Sequence, residues 1–101
     1  MKEETKTFIE IAEENLKTAK KDYEIEVYRS ACFWAQQAIE MFLKAFLVER
    51  DAFNPKIHKT HNLLFLIQEC EKFEDFSKIK GKALAKVSEY AIKARYEPKF
   101  L

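Results

Sequence analysis

Glycine and proline are nearly missing from this chain: one Gly and two Pro in 101 residues. Tight turns draw on both residue types, so a fold of many short strands and hairpins is excluded and an all-α protein is expected. A lone Gly81 cannot build a glycine-rich phosphate loop, and no HExxH, CxxC or GxSxG run occurs, which removes the common metalloprotease, redox and esterase templates. No long apolar run is present either. The richest stretch is broken by Gln36, Gln37, Glu40 and Lys44, whereas a membrane span needs about 20 apolar residues. The opening residues, MKEETKTF, lack the apolar core of a signal peptide, so a cytoplasmic protein with no membrane partner is expected. Cys32 and Cys70 fall on predicted apolar faces and are expected to be buried, reduced thiols. A net charge of +1 gives no general attraction to nucleic acid.

What the chain does have is one helix-forming stretch, residues 31–47, ACFWAQQAIEMFLKAFL. At about 100° per residue its apolar side chains, Ala31 through Phe46, cover an arc of roughly 220°. Such a helix needs neighbours on more than one side. Phe33, Gln37, Glu40, Lys44 and Leu47 form a second, mostly polar stripe at steps of three and four. This stripe is expected to be a homodimer contact, with Glu40 and Lys44 pairing across or along it; ordinary surface exposure of Phe33 and Leu47 is the alternative.

Around that helix the periodicity predicts a single domain, an up-and-down four-helix bundle with room for a short fifth helix. The first helix spans about 5–23 on Phe8, Ile11, Ala12, Leu16, Ala19 and Tyr23, and the second about 26–50. Asn15 lies inside the first stripe and needs a partner, Gln36 or Gln37, or else a ligand. Residues 51–60 have no helical period, and Asn54-Pro55 marks a turn. Thr60 is the expected cap of a third helix carrying Leu63, Leu64, Ile67 and Cys70. A connection over 72–77 tucks Phe73 and Phe76 under the bundle, and a last helix runs over 77–95. Net charge is −3 over 1–26, −1 over 27–76 and +5 over 77–101, which suits first and last helices that face each other.

The candidate sites are electrostatic. Lys56, His58, Lys59 and His61 gather where the third helix begins, and its unpaired backbone N–H groups favour an anion there; simple packing or capping by His61 is the alternative. The His-x-x-His spacing is compatible with a metal, but no carboxylate or cysteine lies close in sequence, so neither a metal nor another cofactor is expected. Near the end, Tyr90, Tyr96 and Phe100 alternate with Lys93, Arg95 and Lys99; the aromatics are expected to be core and the lysines solvated, with stacking on a nucleotide as the alternative, and Arg95 is excepted because it has the fork geometry to hold a carboxylate or phosphate.

The runs AxxNLKTAKKDYE (12–24), AQQAIEMFLKAF (35–46), THNLLFLI (60–67) and YAIKARYEP (90–98) together resemble the HEPN family, the "higher eukaryotes and prokaryotes nucleotide-binding" domain. The resemblance implies a dimerising helical bundle, often encoded beside a minimal nucleotidyltransferase in a toxin–antitoxin-like pair, and a nucleotide as ligand. It places Gln37, Glu40 and Lys44 on the family's helix-two stripe, His61 at the opening of helix three, and Arg95 and Tyr96 as the terminal pair. Many HEPN proteins are metal-independent ribonucleases with an arginine, four to six residues and a histidine. Here Arg50 and His58 are separated by seven residues and no histidine follows Arg95. A binding module is therefore expected rather than an enzyme, with an RNA-cleaving toxin and a non-catalytic dimeric adaptor as alternatives.

Overall fold

A computed structural model describes residues 1–77. The protein is an all-α bundle, and the described residues contain no strand: α1 is Glu3–Glu24, α2 Tyr28–Glu49, α3 Pro55–His58 and α4 Leu63–Cys70, followed by a 3₁₀ turn at Glu74–Phe76. The helix expected over 77–95, with Arg95 and Tyr96 and its charge match to α1, lies beyond Ser77 and so outside the described residues. Among the described residues, no helix is long and apolar enough to cross a membrane.

The spine is α2, about 33 Å long at 1.5 Å per residue. Against α1 it presents small side chains: Ala12 and Ala19 of α1 and Ala31, Ala35 and Ala38 of α2 are all buried. Alanine suits this seam because it adds no bulk between the helix backbones and favours helix on its own account. Leu16, Tyr23 and Trp34 close its margin. Against α4 the same helix uses large side chains, Ile39, Leu43 and Leu47, packed on Leu66, Cys70 and Phe76. Phe73 and Phe76 do tuck under the bundle, edge-on to Phe46 at 5.8 and 5.2 Å.

Two details of the expected core change. Leu64 is exposed and Leu66 takes the core position, because Leu63, Leu66, Ile67 and Cys70 share one face at steps of three and four. The cap of α4 is Asn62, which accepts from Phe65 N at 3.1 Å, while Thr60 accepts from Asn62 N at 3.1 Å. Asn54-Pro55 caps and opens the one-turn α3, where Asn54 Oδ1 accepts from Lys56 N at 3.0 Å. The expected partnership of Asn15 with Gln36 or Gln37 is not found among the described residues; Gln36 Nε2 instead donates to Cys32 Sγ at 3.5 Å.

Both long helices end without glycine. Glu26 and Asp51 take left-handed backbone angles, φ 64° and 58°. Val27 N donates to Asp22 O and Glu26 N to Tyr23 O; Ala52 N donates to Leu47 O and Asp51 N to Val48 O. These are paired Schellman closures, held by residues for which left-handed angles are unfavourable. Glu26→Gly should therefore raise stability by about 1 kcal/mol, since the relief outweighs glycine's extra unfolded-state entropy. A shift of the urea midpoint to higher concentration is the expected reading, and an unchanged or lower midpoint would contradict it.

The open end of the α1–α2 hairpin is tied by Glu49, which accepts from Lys2 N at 3.1 Å and Thr5 Oγ1 at 3.0 Å. The Lys2 backbone N–H, then the Thr5 hydroxyl, hold the Glu49 carboxyl below its ordinary range. Glu49 thereby serves as the cap that α1 lacks from its own sequence.

Cys70 donates to the Leu43 carbonyl at 3.6 Å, and burial pushes its thiol up to about 12. A thiolate is thus strongly disfavoured there. In the native protein near neutral pH a thiol reagent should label half-buried Cys32, and label Cys70 only after unfolding, as read by peptide mass mapping.

Candidate functional site

Glu40 sits in the middle of α2 with neighbours that bury it to 1 % exposure, and Lys44, one turn later, is 6 % exposed. Apolar context would expel a lone charge; here the two charges meet. Lys44 Nζ donates to Glu40 Oε2 at 3.0 Å. The other carboxylate oxygen, Oε1, lies 2.9 Å from His61 Nδ1, so α2 and the residue just before the α4 cap are joined through one carboxylate. His61 itself stays outside, its side chain 84 % exposed.

The chemistry of this corner follows from its donors and acceptors. The ionised Glu40 can only accept, so the proton between it and the ring belongs to Nδ1. A neutral His61 therefore turns the bare lone pair of Nε2 away from Glu40. Protonation would make that atom a donor and the ring a cation, compensated by the carboxylate behind it. Either way the imidazole is oriented by a group that cannot rotate freely, because Glu40 is buried and held by Lys44.

His58 behaves differently from expectation. It is 2 % exposed, its Nδ1 accepts from Asn54 N at 2.8 Å, and its Nε2 lies 2.8 Å from Glu69 Oε1. The ring is flanked by Phe53 and Phe65 at 5.7 and 6.0 Å. Both nitrogens are used internally, so His58 locks α3 onto α4 and does not face an anion. Lys56 and Lys59 are exposed beside it.

Glu69 completes the lock through Lys72 Nζ at 2.6 Å. The Lys72 ammonium, then the His58 ring, hold the Glu69 carboxyl below its ordinary value of 4.5. A carboxylate favoured in the fold contributes stability that is present above 4.5 and lost as pH falls through the lowered folded value. Thermal melts should accordingly drop in midpoint below about pH 4.5, and Glu69→Gln should flatten part of that drop; an identical acid profile would contradict this. Nothing local in the sequence pointed to Glu69 or Lys72, since the partner histidine lies eleven residues before Glu69.

The stripe expected as a dimer contact is mostly internal. Leu47 is 1 % exposed within the single chain, and Glu40 and Lys44 are buried with it. Phe33, 52 % exposed and edge-on to Trp34 at 5.1 Å, and half-buried Gln37 are what remains at the surface. Glu40 and Lys44 do pair, along the helix. Among the described residues, no group of three His, Cys, Asp or Glu is placed to hold a metal ion.

Comparison with curated proteins and with solved structures returned no match. The family model for the HEPN domain matches residues 5–101, nearly the whole chain and the run that carries Glu40, Lys44 and His61. On that match, this chain is a member of the HEPN domain family.

Proposed function

We propose that the protein is a cytoplasmic HEPN binding module that docks on a minimal nucleotidyltransferase in a two-gene, toxin–antitoxin-like system and holds a nucleotide through its phosphate at His61. The observation that carries the reading is the exposed imidazole of His61 on its buried carboxylate, 2.9 Å from Glu40, with exposed Lys56 and Lys59 close in sequence. A surface ring of fixed orientation, with lysines near it in sequence, suits a phosphate better than an apolar ligand. The module is a homodimer in this reading, with the Phe33 end of α2 in the contact. Titration calorimetry with 5′-AMP and 5′-UMP, and co-purification with the product of an adjacent nucleotidyltransferase gene, test it. Binding lost in His61→Ala is expected; wild-type affinity in that variant would reject the site.

A second reading, a ribonuclease toxin, is favoured by one detail. The neutral His61 presents Nε2 as a base, and a positioned base is what abstraction of a ribose 2′-hydroxyl proton requires. Cleavage of single-stranded RNA by the wild type that vanishes in His61→Ala would select it over the binder.

A further inference from the structure

Resting on the binding reading above, we infer that capture of an anion at His61 is coupled to uptake of one proton, and that Glu40 enforces the coupling. Glu40 is paired with Lys44 at 3.0 Å and is buried. It accepts from Nδ1, which fixes the neutral ring in the tautomer whose Nε2 has no hydrogen. The oxygens of sulfate, and of a fully ionised phosphate monoester, also have only lone pairs to offer. Two acceptors facing each other repel, so the neutral ring cannot hold an anion by hydrogen bonding. The bound state requires a proton on Nε2, and with it the ring becomes a cation whose charge Glu40 supports from behind.

Glu40 and Lys44 of α2 offset each other in charge, so within this contact of described residues a positive charge comes from the protonated ring. Among the described residues, charged groups near His61 in sequence or on α4 include Lys56 of α3 and Lys59 after it, both exposed, and Glu69, engaged by His58 and Lys72; α2 also carries Arg29 at its start and Glu49 at its end, the latter engaged by Lys2 and Thr5. The exposed lysines act through water and are screened by salt; they raise affinity without replacing the missing Nε2–H.

A glutamine at position 40 separates coupling from binding. Its carbonyl can accept from Lys44 while its amide donates to Nδ1, which moves the ring proton to Nε2. The ring then donates to an anion without taking up a proton.

Calorimetry on the full chain with inorganic sulfate, which has no proton of its own to exchange near neutral pH, tests this. Repeating each titration in buffers of different ionisation enthalpy yields the proton count. Where the free ring is neutral, the wild type should take up about one proton per sulfate bound and lose affinity about tenfold per pH unit. Glu40→Gln should show a flatter pH profile, and its fold is checked by circular dichroism. Sulfate binding with no proton uptake in the wild type overturns the coupling and leaves the binding reading standing. Failure of the wild type to bind either sulfate or 5′-AMP on the acid side overturns both. Should Glu40→Gln unfold, the wild-type proton count alone decides.

Discussion

Leu47→Ala should lose about 3 kcal/mol of stability, and Leu47→Glu should not fold. Leu47 is among the largest fully buried side chains and packs with Ile39 and Leu43 of its own helix on Leu66, Cys70 and Phe76. Truncating such a leucine removes its transfer free energy and leaves a hole that neighbours fill only in part; the range for buried leucines is about 2–5 kcal/mol. In a domain of this length, about 3 kcal/mol corresponds to a melting shift of well over 10 °C. A glutamate there would bury a charge with no partner. Phe33→Glu, on the same sequence stripe but half-exposed, should change stability by only about 0.5 kcal/mol. Denaturant unfolding read by circular dichroism, with light scattering for mass, separates the two roles. A Leu47→Glu protein that stays folded but halves its mass would mean that this leucine faces a second subunit and not its own chain.

That contrast shows where periodicity stops informing. The spacing of alanines and large apolar residues in 31–47 is enough to predict one long helix with neighbours on two sides, and α1 and α4 are those neighbours. Spacing cannot say how far the neighbours reach around the helix. Leu47, Glu40 and Lys44 looked like a surface stripe because two of them are charged, yet paired charges can be covered if each satisfies the other. The ends of α1 and α2 were hard to place for a related reason. Left-handed closing residues are usually glycine, and here Glu26 and Asp51 take those angles because the surrounding hydrogen bonds hold them there. Thr60 and Asn62 are both good caps by composition, and only the backbone path selects Asn62.

The site was legible as residues and not as a site. Glu40 and Lys44 stood out as charges inside an apolar run, and His61 as a ring at a helix start, but the separation of 21 positions between Glu40 and His61 hides their contact from any local pattern. His58 illustrates the reverse error. Its neighbours Lys56 and Lys59 suggested a shared anion, whereas its position between Phe53 and Phe65 makes it part of the core. What distinguishes the two histidines is exposure, which a sequence of mixed polar and aromatic residues does not encode locally.

Glu40→Ala should be the most damaging change at the site, with a loss of about 3–5 kcal/mol, because it leaves the Lys44 ammonium buried and uncompensated. Much of that loss belongs to the stranded partner and not to the attraction removed. It follows that Glu40→Leu combined with Lys44→Met, which replaces both charges by apolar groups of similar length, should be close to wild type in stability, or above it. The two charges are in contact, so their effects are coupled and the single losses should not add. His61→Ala should cost less than either single charge deletion, since its ring lies almost wholly in water. Urea unfolding of these three variants and of Lys44→Met is the measurement. The folded double variant then carries a further consequence: with no carboxylate behind it, His61 is free to take either tautomer, so any anion affinity that survives should no longer show the pH dependence set by Glu40. If Glu40→Ala instead loses less than about 1 kcal/mol, the range of a solvated surface pair, water reaches the carboxylate, and the fixed tautomer on which the proton coupling depends is lost with it.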